Sequence, residues 1–146
     1  MNVLYILMRT DMDSMNPGKA MAQASHASNA FVFRFGKENL VKQWQGETQQ
    51  GFGTVLVLDV TGDQMNDVVH RVKDDLRFKE EVYADIIHDP TYPIQDGDVV
   101  HHIPVDTCAY VFGDKDSPDL QDLLSGLELH STPYTKNSSA LDLIRY

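Results

Sequence analysis

The chain has 146 residues, of which 42% are hydrophobic, and it carries a formal net charge of −10 at pH 7. This length suits one domain with a buried core, and the apolar fraction excludes a chain that is disordered throughout. Twelve Lys and Arg stand against 22 Asp and Glu, and no dense basic run is present. The composition therefore argues against strong general affinity for nucleic acid.

Neither a secretory signal nor a membrane span is expected from the sequence. Its apolar stretches are far shorter than the roughly 20 residues that span a bilayer, and no basic segment precedes the apolar run after Met1. The single cysteine, Cys108, lies in an apolar run, and we expect a buried, unreactive thiol in a reducing compartment. A cytoplasmic protein is the expectation.

The first elements are a strand and a long helix. Residues 3–8 form an apolar run typical of a strand that is covered on both faces. Asn16 is a good helix cap and Pro17 suits the first helical position, because a missing N–H costs nothing there. Gly36 is a natural helix stop, so the helix is predicted to occupy residues 17–35.

Further helices and strands alternate along the rest of the chain. In order, the sequence predicts a helix over 38–45, a strand over 54–60, a helix capped by Thr61 that continues to 79, strands over 82–87 and 107–112, and a helix from Pro118 to about Gly126. Such alternation indicates an α/β sandwich with helices on both faces of a small sheet.

The long helix carries a polar stripe. Its segment NPGKAMAQASHASNA holds five alanines, and Lys19, Gln23 and His26 are spaced so that they share one helix face. The alanines allow close approach to a neighbouring element. Two interpretations follow: the helix packs tightly and leaves three polar residues outside, or it presents them to a ligand.

The segment RTDMDSMNPGKAMAQASHA, residues 9–27, resembles the archaeal and eukaryotic type of peptidyl-tRNA hydrolase. The resemblance covers roughly residues 3–129 and leaves residues 130–146 as a C-terminal tail. It implies a mixed sheet of about four strands in a three-layer sandwich, often dimeric. The implied activity is hydrolysis of the ester between a peptide and the 3′ end of tRNA, without a metal or another cofactor.

The resemblance also implies catalytic residues. Lys19 occupies the position of the family's functional lysine, where its charge would stabilise an oxyanion or meet a terminal phosphate. Asp89 matches an aspartate after the third strand and would orient or deprotonate water, with a loop cap before Pro90 as the alternative. His26 is a candidate base; its alternative is a packed structural role. Ser25 and His26 point about 100° apart on a helix, which excludes a serine–histidine pair.

A second set of residues is expected to bind the substrate, partly by resemblance and partly by proximity to Asp89: Arg9, Thr10, Asp11, Gln23, Thr91 and Thr107. Gln23 has a second possible role in bracing Asp89. Arg9 and Asp11 have the alternative of pairing locally to fix the loop after the first strand.

Residues 89–107, DPTYPIQDGDVVHHIPVDT, depart from the family pattern of a small-residue turn and a threonine-rich segment. The Asp96–Gly97 step predicts a surface hairpin over the pocket. The segment also contains potential metal ligands, namely His88, Asp89, Asp96, Asp98, His101 and His102. Their spacing matches no zinc signature, and His101 and His102 would point to opposite sides of a strand.

Three hypotheses therefore stand. The leading one is a metal-independent hydrolase whose partner is the tRNA 3′ end with its peptide, with a homodimer as the expected assembly. The second is a non-catalytic binding protein on the same fold, which the strong acidity and the altered segment favour. The third is a metal-dependent hydrolase that uses the histidines of the insert and loses activity with a chelator.

Overall fold

The computed structural model describes residues 1–131, so most of the predicted tail, residues 132–146, lies outside the described residues. The elements are the strands Asn2–Arg9 (β1), Val55–Val60 (β2), Tyr83–Asp96 (β3) and Val99–Asp114 (β4), and the helices Pro17–Phe35 (α1), Asn39–Gln45 (α2), Gly62–Asp74 (α3) and Pro118–Leu123 (α4).

The four strands form one mixed sheet in the order β2-β1-β4-β3. β1 runs parallel to β2 and antiparallel to β4, and β3 pairs with β4 in antiparallel fashion. β1 therefore lies inside the sheet, with backbone hydrogen bonds to a strand on each side. The predicted mixed sheet of about four strands is confirmed.

Helices cover both faces of this sheet. α1 and α2 pack on one face around Phe31 and Trp44, which meet Tyr110 and Phe112 of β4. On the other face, α3 and α4 pack through Val69 and other aliphatic side chains against the alternate residues of β1 and β4. The three-layer α/β sandwich that the sequence predicts is therefore present.

α1 begins as its sequence predicts. The side chain of Asn16 accepts a hydrogen bond of 2.9 Å from the backbone N–H of Lys19, and Pro17 occupies the first turn. Ala20 and Ala27 are buried against the sheet, because their small side chains let the helix backbone approach it. Lys19 lies on this same buried face, and the helix start therefore fixes where its side chain enters the protein.

α3 and α4 end earlier than predicted. α3 stops at Asp74 rather than near residue 79, because Asp75 takes an extended conformation and its carboxylate accepts the N–H of Arg77 at 2.9 Å. A single 3-10 turn follows. α4 stops at Leu123, before Gly126, whose φ of +83° is incompatible with a right-handed helix.

β3 and β4 are much longer than the predicted strands over 82–87 and 107–112. They continue into a two-stranded hairpin with Gly97 at its turn, where φ is +59°. The prolines of this segment, which concealed the full length of the two strands, are tolerated because a two-stranded ribbon leaves one side of each strand without a ladder partner. The predicted surface hairpin is present, and its strands begin inside the sheet.

The outer edge of β2 is also covered. Asp59 and Val57 exchange backbone hydrogen bonds of 2.9 and 2.7 Å with Glu128 and His130, which protects an otherwise open sheet edge. Cys108 is fully buried, and burial raises the pKa of its thiol to about 12. Within residues 1–131, no helix is both long and apolar enough to cross a membrane.

A substitution at Gly53 tests the packing of α2 on the sheet. A methyl group on Gly53 would lie 2.4 Å from both Cδ1 and the carbonyl oxygen of Trp44, so Gly53→Ala forces a buried aromatic residue to move. We expect the free energy of unfolding to fall by about 2 kcal/mol in urea titrations. Gly46→Ala is the control: its nearest contacts are 3.4 Å, and a change within about 0.5 kcal/mol is expected. Equal stability of the two variants would contradict this packing.

Candidate active site

Lys19 lies in the first turn of α1 with only 8% of its surface exposed. Its Nζ donates hydrogen bonds to the carbonyl oxygens of Ser14, at 3.0 Å, and Pro93, at 2.7 Å. The same nitrogen lies 4.9 Å from the centroid of the Tyr92 ring. Burial lowers the pKa of the Lys19 ammonium below its ordinary value, and the two carbonyl dipoles and the ring stabilise the charged form in place of water.

One turn further along α1, the buried Gln23 connects two other predicted site residues. The Thr107 hydroxyl donates to Gln23 Oε1 at 2.6 Å, and Gln23 Nε2 donates to Asp89 Oδ2 at 2.7 Å. An ionised carboxylate only accepts hydrogen bonds, so the amide nitrogen of Gln23 must face Asp89. Thr107, which is fully buried, then holds the other end of the amide.

Both carboxylate oxygens of Asp89 accept hydrogen bonds. Its Oδ1 accepts the backbone N–H of Thr91 at 2.9 Å and the Thr91 hydroxyl at 3.4 Å. Partial burial is the largest influence and raises the pKa of this carboxyl. Hydrogen bonds from Gln23 and Thr91 outweigh burial and leave the pKa below its ordinary value. Asp89 is therefore an oriented anion near neutral pH.

Arg9 and Asp11 form a separate group beside this cluster. The Arg9 guanidinium donates to both carboxylate oxygens of Asp11, at 2.9 and 3.2 Å, and to the carbonyl oxygen of Asp106 at 3.0 Å. Asp11 also accepts the N–H of Gly62 at the start of α3. The hydrogen bonds from Arg9, the largest influence, lower the pKa of Asp11. The pair links the end of β1 to α3 and β4.

The remaining candidates are more exposed. Thr10 uses its backbone N–H to bond Val60, at 3.0 Å, and its side chain faces solvent. His26 is exposed on α1, within electrostatic range of Asp89. Its position continues the face of Lys19 and Gln23, so the predicted stripe exists, with its first two members buried and its third in solvent.

The potential metal ligands of the insert are spread along the hairpin. His88 Nδ1 lies 2.8 Å from a carboxylate oxygen of Asp106, and His101 Nε2 lies 3.7 Å from one of Asp96. Across the part of the chain that the structure describes, no three His, Cys, Asp or Glu side chains are arranged to hold a metal ion.

Three residues of the lysine site escape prediction from sequence: Ser14, Tyr92 and Pro93. Ser14 and Pro93 contribute backbone carbonyls, which any residue type could supply. Tyr92 lies at its position through the pairing of the hairpin. The sequence offers one signal, a tyrosine three residues after Asp89. The apolar spacing around this tyrosine is too irregular to show which face of the strand carries its side chain.

The fold and this cluster define an α/β protein with a buried lysine and an oriented aspartate beside its longest helix. The family described as peptidyl-tRNA hydrolase PTH2 matches residues 2–92, which is more than half of the chain. The chain therefore belongs to the peptidyl-tRNA hydrolase PTH2 family, as the resemblance indicated. No curated protein matches it.

Removal of the Gln23 amide tests the link to Asp89. In Gln23→Met, the carboxylate loses a donor at 2.7 Å, so its pKa is expected to rise toward the ordinary value of about 3.9. Titration of the Asp89 carboxyl carbon by NMR measures this shift directly. Gln95→Met is the control, because Gln95 donates to the carbonyl of Gly97 at the hairpin tip. An unchanged Asp89 titration in Gln23→Met would contradict the bracing role.

Proposed function

We propose that this protein hydrolyses the ester between a peptide and the 3′ end of tRNA, and that Lys19 and Asp89 carry the reaction. The supporting observation is that α1 places a buried ammonium and, through Gln23, an oriented carboxylate on one helix face. Both lie within the residues that the family matches. The proposal includes a cytoplasmic location, because the substrate forms during translation.

In this mechanism, the ionised carboxylate of Asp89 accepts a hydrogen bond from a water molecule and orients it toward the ester carbonyl carbon. The water oxygen adds to that carbon, and negative charge develops on the carbonyl oxygen. The positive charge of Lys19, which is screened little by solvent, stabilises this oxyanion. The intermediate then collapses: the acyl group keeps the water oxygen, and the ribose 3′ oxygen leaves with the proton that His26 took from the water.

The other predicted residues have supporting roles in this proposal. Gln23 and Thr107 hold Asp89 in one orientation, which lowers the cost of arranging the water. His26 lies at the solvent side of Asp89, where it can accept the proton released from water. The residues proposed to contact the tRNA end are Arg9, Thr10, Asp11 and Thr91. The homodimer stays a prediction from resemblance.

Replacement of Lys19 is the first test of the proposal. Lys19→Ala is expected to lower the rate of release of N-blocked aminoacyl groups from tRNA by about 100-fold or more, because it removes the charge facing the oxyanion. Lys42→Ala, at an exposed position on α2, is the matched control and should keep full activity. Each assay is run with and without EDTA.

The outcomes separate the three hypotheses. Hydrolysis that resists EDTA and falls only in Lys19→Ala supports the proposal. Hydrolysis lost with EDTA would favour a metal-dependent reaction at the histidines of the hairpin. A folded native chain that binds peptidyl-tRNA but releases no acyl group would favour the non-catalytic binding protein and overturn the proposal.

Asp89→Asn tests the carboxylate. The amide has nearly the same shape but no charge with which to orient and polarise water, and a loss of about 100-fold in kcat is expected with a smaller change in KM. In the native chain, the lowered pKa keeps Asp89 ionised throughout pH 5–8, so its titration should cause no acid limb in that range. Asp96→Asn, at the exposed hairpin turn, is the control. Retention of full activity by Asp89→Asn would exclude the proposed role.

A further inference from the structure

Tyr92 connects the hairpin to the lysine site. It is fully buried, and its hydroxyl lies 3.1 Å from the hydroxyl of Ser14 in the loop between β1 and α1. The face of its ring lies 4.9 Å from Lys19 Nζ, and the carbonyl of the next residue, Pro93, accepts from that nitrogen at 2.7 Å. Two consecutive residues of β3 therefore contact the same ammonium.

These contacts are electrostatically favourable for the Lys19 ammonium. A buried ammonium is costly unless groups of negative partial charge replace its water, and both a carbonyl oxygen and the face of an aromatic ring supply such charge. The loop before α1 contributes a second carbonyl, that of Ser14, at 3.0 Å. The ammonium of Lys19 is thus held between loop and hairpin, and its position depends on both.

An irregularity in β3 makes the arrangement possible. In a regular strand, residues three apart face opposite sides. The pairing of β3 with β4 shifts register between Asp89 and Tyr92, and such a shift turns side chains relative to the regular pattern. As a result, Asp89 reaches Gln23 and Tyr92 reaches Lys19, both on α1. The irregularity therefore helps to position both charged groups of the site, the Asp89 carboxylate and the Lys19 ammonium.

Beyond Ile87 and Cys108, β3 and β4 pair only with each other. β1 pairs with β4 only as far as Met8 and Cys108, whereas the hairpin pairs Tyr92 with Ile103 and continues to its turn. The family match ends at residue 92. This two-stranded extension contacts α1 first through Asp89, at Gln23, and then through Tyr92, at Lys19.

We propose that Tyr92 is a positioning residue, whose ring and following carbonyl hold the Lys19 ammonium charged and oriented, so that the extended hairpin is a working part of the site. The inference rests on the proposed function for its role in hydrolysis. The contact between ring and ammonium can be measured without any catalysis, which keeps the two proposals separable.

The experiment alters the charge distribution of the ring at nearly constant size. In the full chain, Tyr92 is replaced by phenylalanine, 4-fluorophenylalanine and 3,4,5-trifluorophenylalanine, and the titration of Lys19 is followed by NMR of its ε carbon. Fluorine withdraws electrons from the ring face and weakens its attraction for a cation. The Lys19 midpoint is expected to fall stepwise, by about one pH unit across the three rings.

Hydrolysis is measured on the same proteins. If the ammonium acts in the reaction, the alkaline limb of the pH profile of kcat moves to lower pH by the same amount as the Lys19 midpoint, with little change in KM. The control is the same series at Tyr83, near the other end of β3, where the ring stacks on Phe35. There, the Lys19 midpoint should stay constant.

Each outcome bears on the inference. A Lys19 midpoint that is the same for all three rings, in folded protein, would overturn it. A midpoint that follows the series while hydrolysis is unchanged would overturn the role of Tyr92 in the reaction. A midpoint that follows the series in a native chain without hydrolytic activity would support the contact and reject the proposed function.

Discussion

The buried ammonium of Lys19 is the constraint on which the site depends. A charge with 8% of its residue surface exposed requires partners on every side that water has left. The carbonyl of Ser14 fixes the loop before α1, and the carbonyl of Pro93 fixes the base of the hairpin. One side chain thereby couples the start of α1 and the loop before it to a hairpin 74 residues further along the chain, and the site exists only when these segments are folded together.

Sequence patterns were sufficient for the sandwich and for the polar stripe of α1. The cap at Asn16 and the spacing of Lys19 and Gln23 are local features, and a local feature survives in the fold when the helix itself forms. The burial of Lys19 and Gln23, in contrast, depends on contacts with residues that are distant in sequence. An exposed stripe is the usual arrangement of a lysine and a glutamine. Here Asp89 and Pro93 from β3, together with Thr107 from β4, cover these two side chains.

The length and register of the hairpin strands show where sequence prediction fails and why. Prolines and charged residues between 89 and 107 break the alternation by which strands are recognised, although backbone pairing continues through most of that segment. Strand formation there depends on β4, whose buried half is strongly apolar, and the pairing extends from it. The register shift before Tyr92 brings Asp89 and Tyr92 to α1, and no spacing in the sequence encodes it.

The acidity of the chain affects how a tRNA substrate would be held. On the described surface, Arg34 and Lys73 both pair with Asp85, and Arg77 pairs with Asp75, so these cations are already neutralised as partners for phosphate. A protein of net charge −10 gains little from a long phosphate track. Under the proposed function, recognition is therefore concentrated at the ester-bearing end, where the charge of Lys19 faces the reacting group and the backbone of the tRNA contributes little. Weak binding of the remaining tRNA also favours release of the product, because only the cleaved end is held.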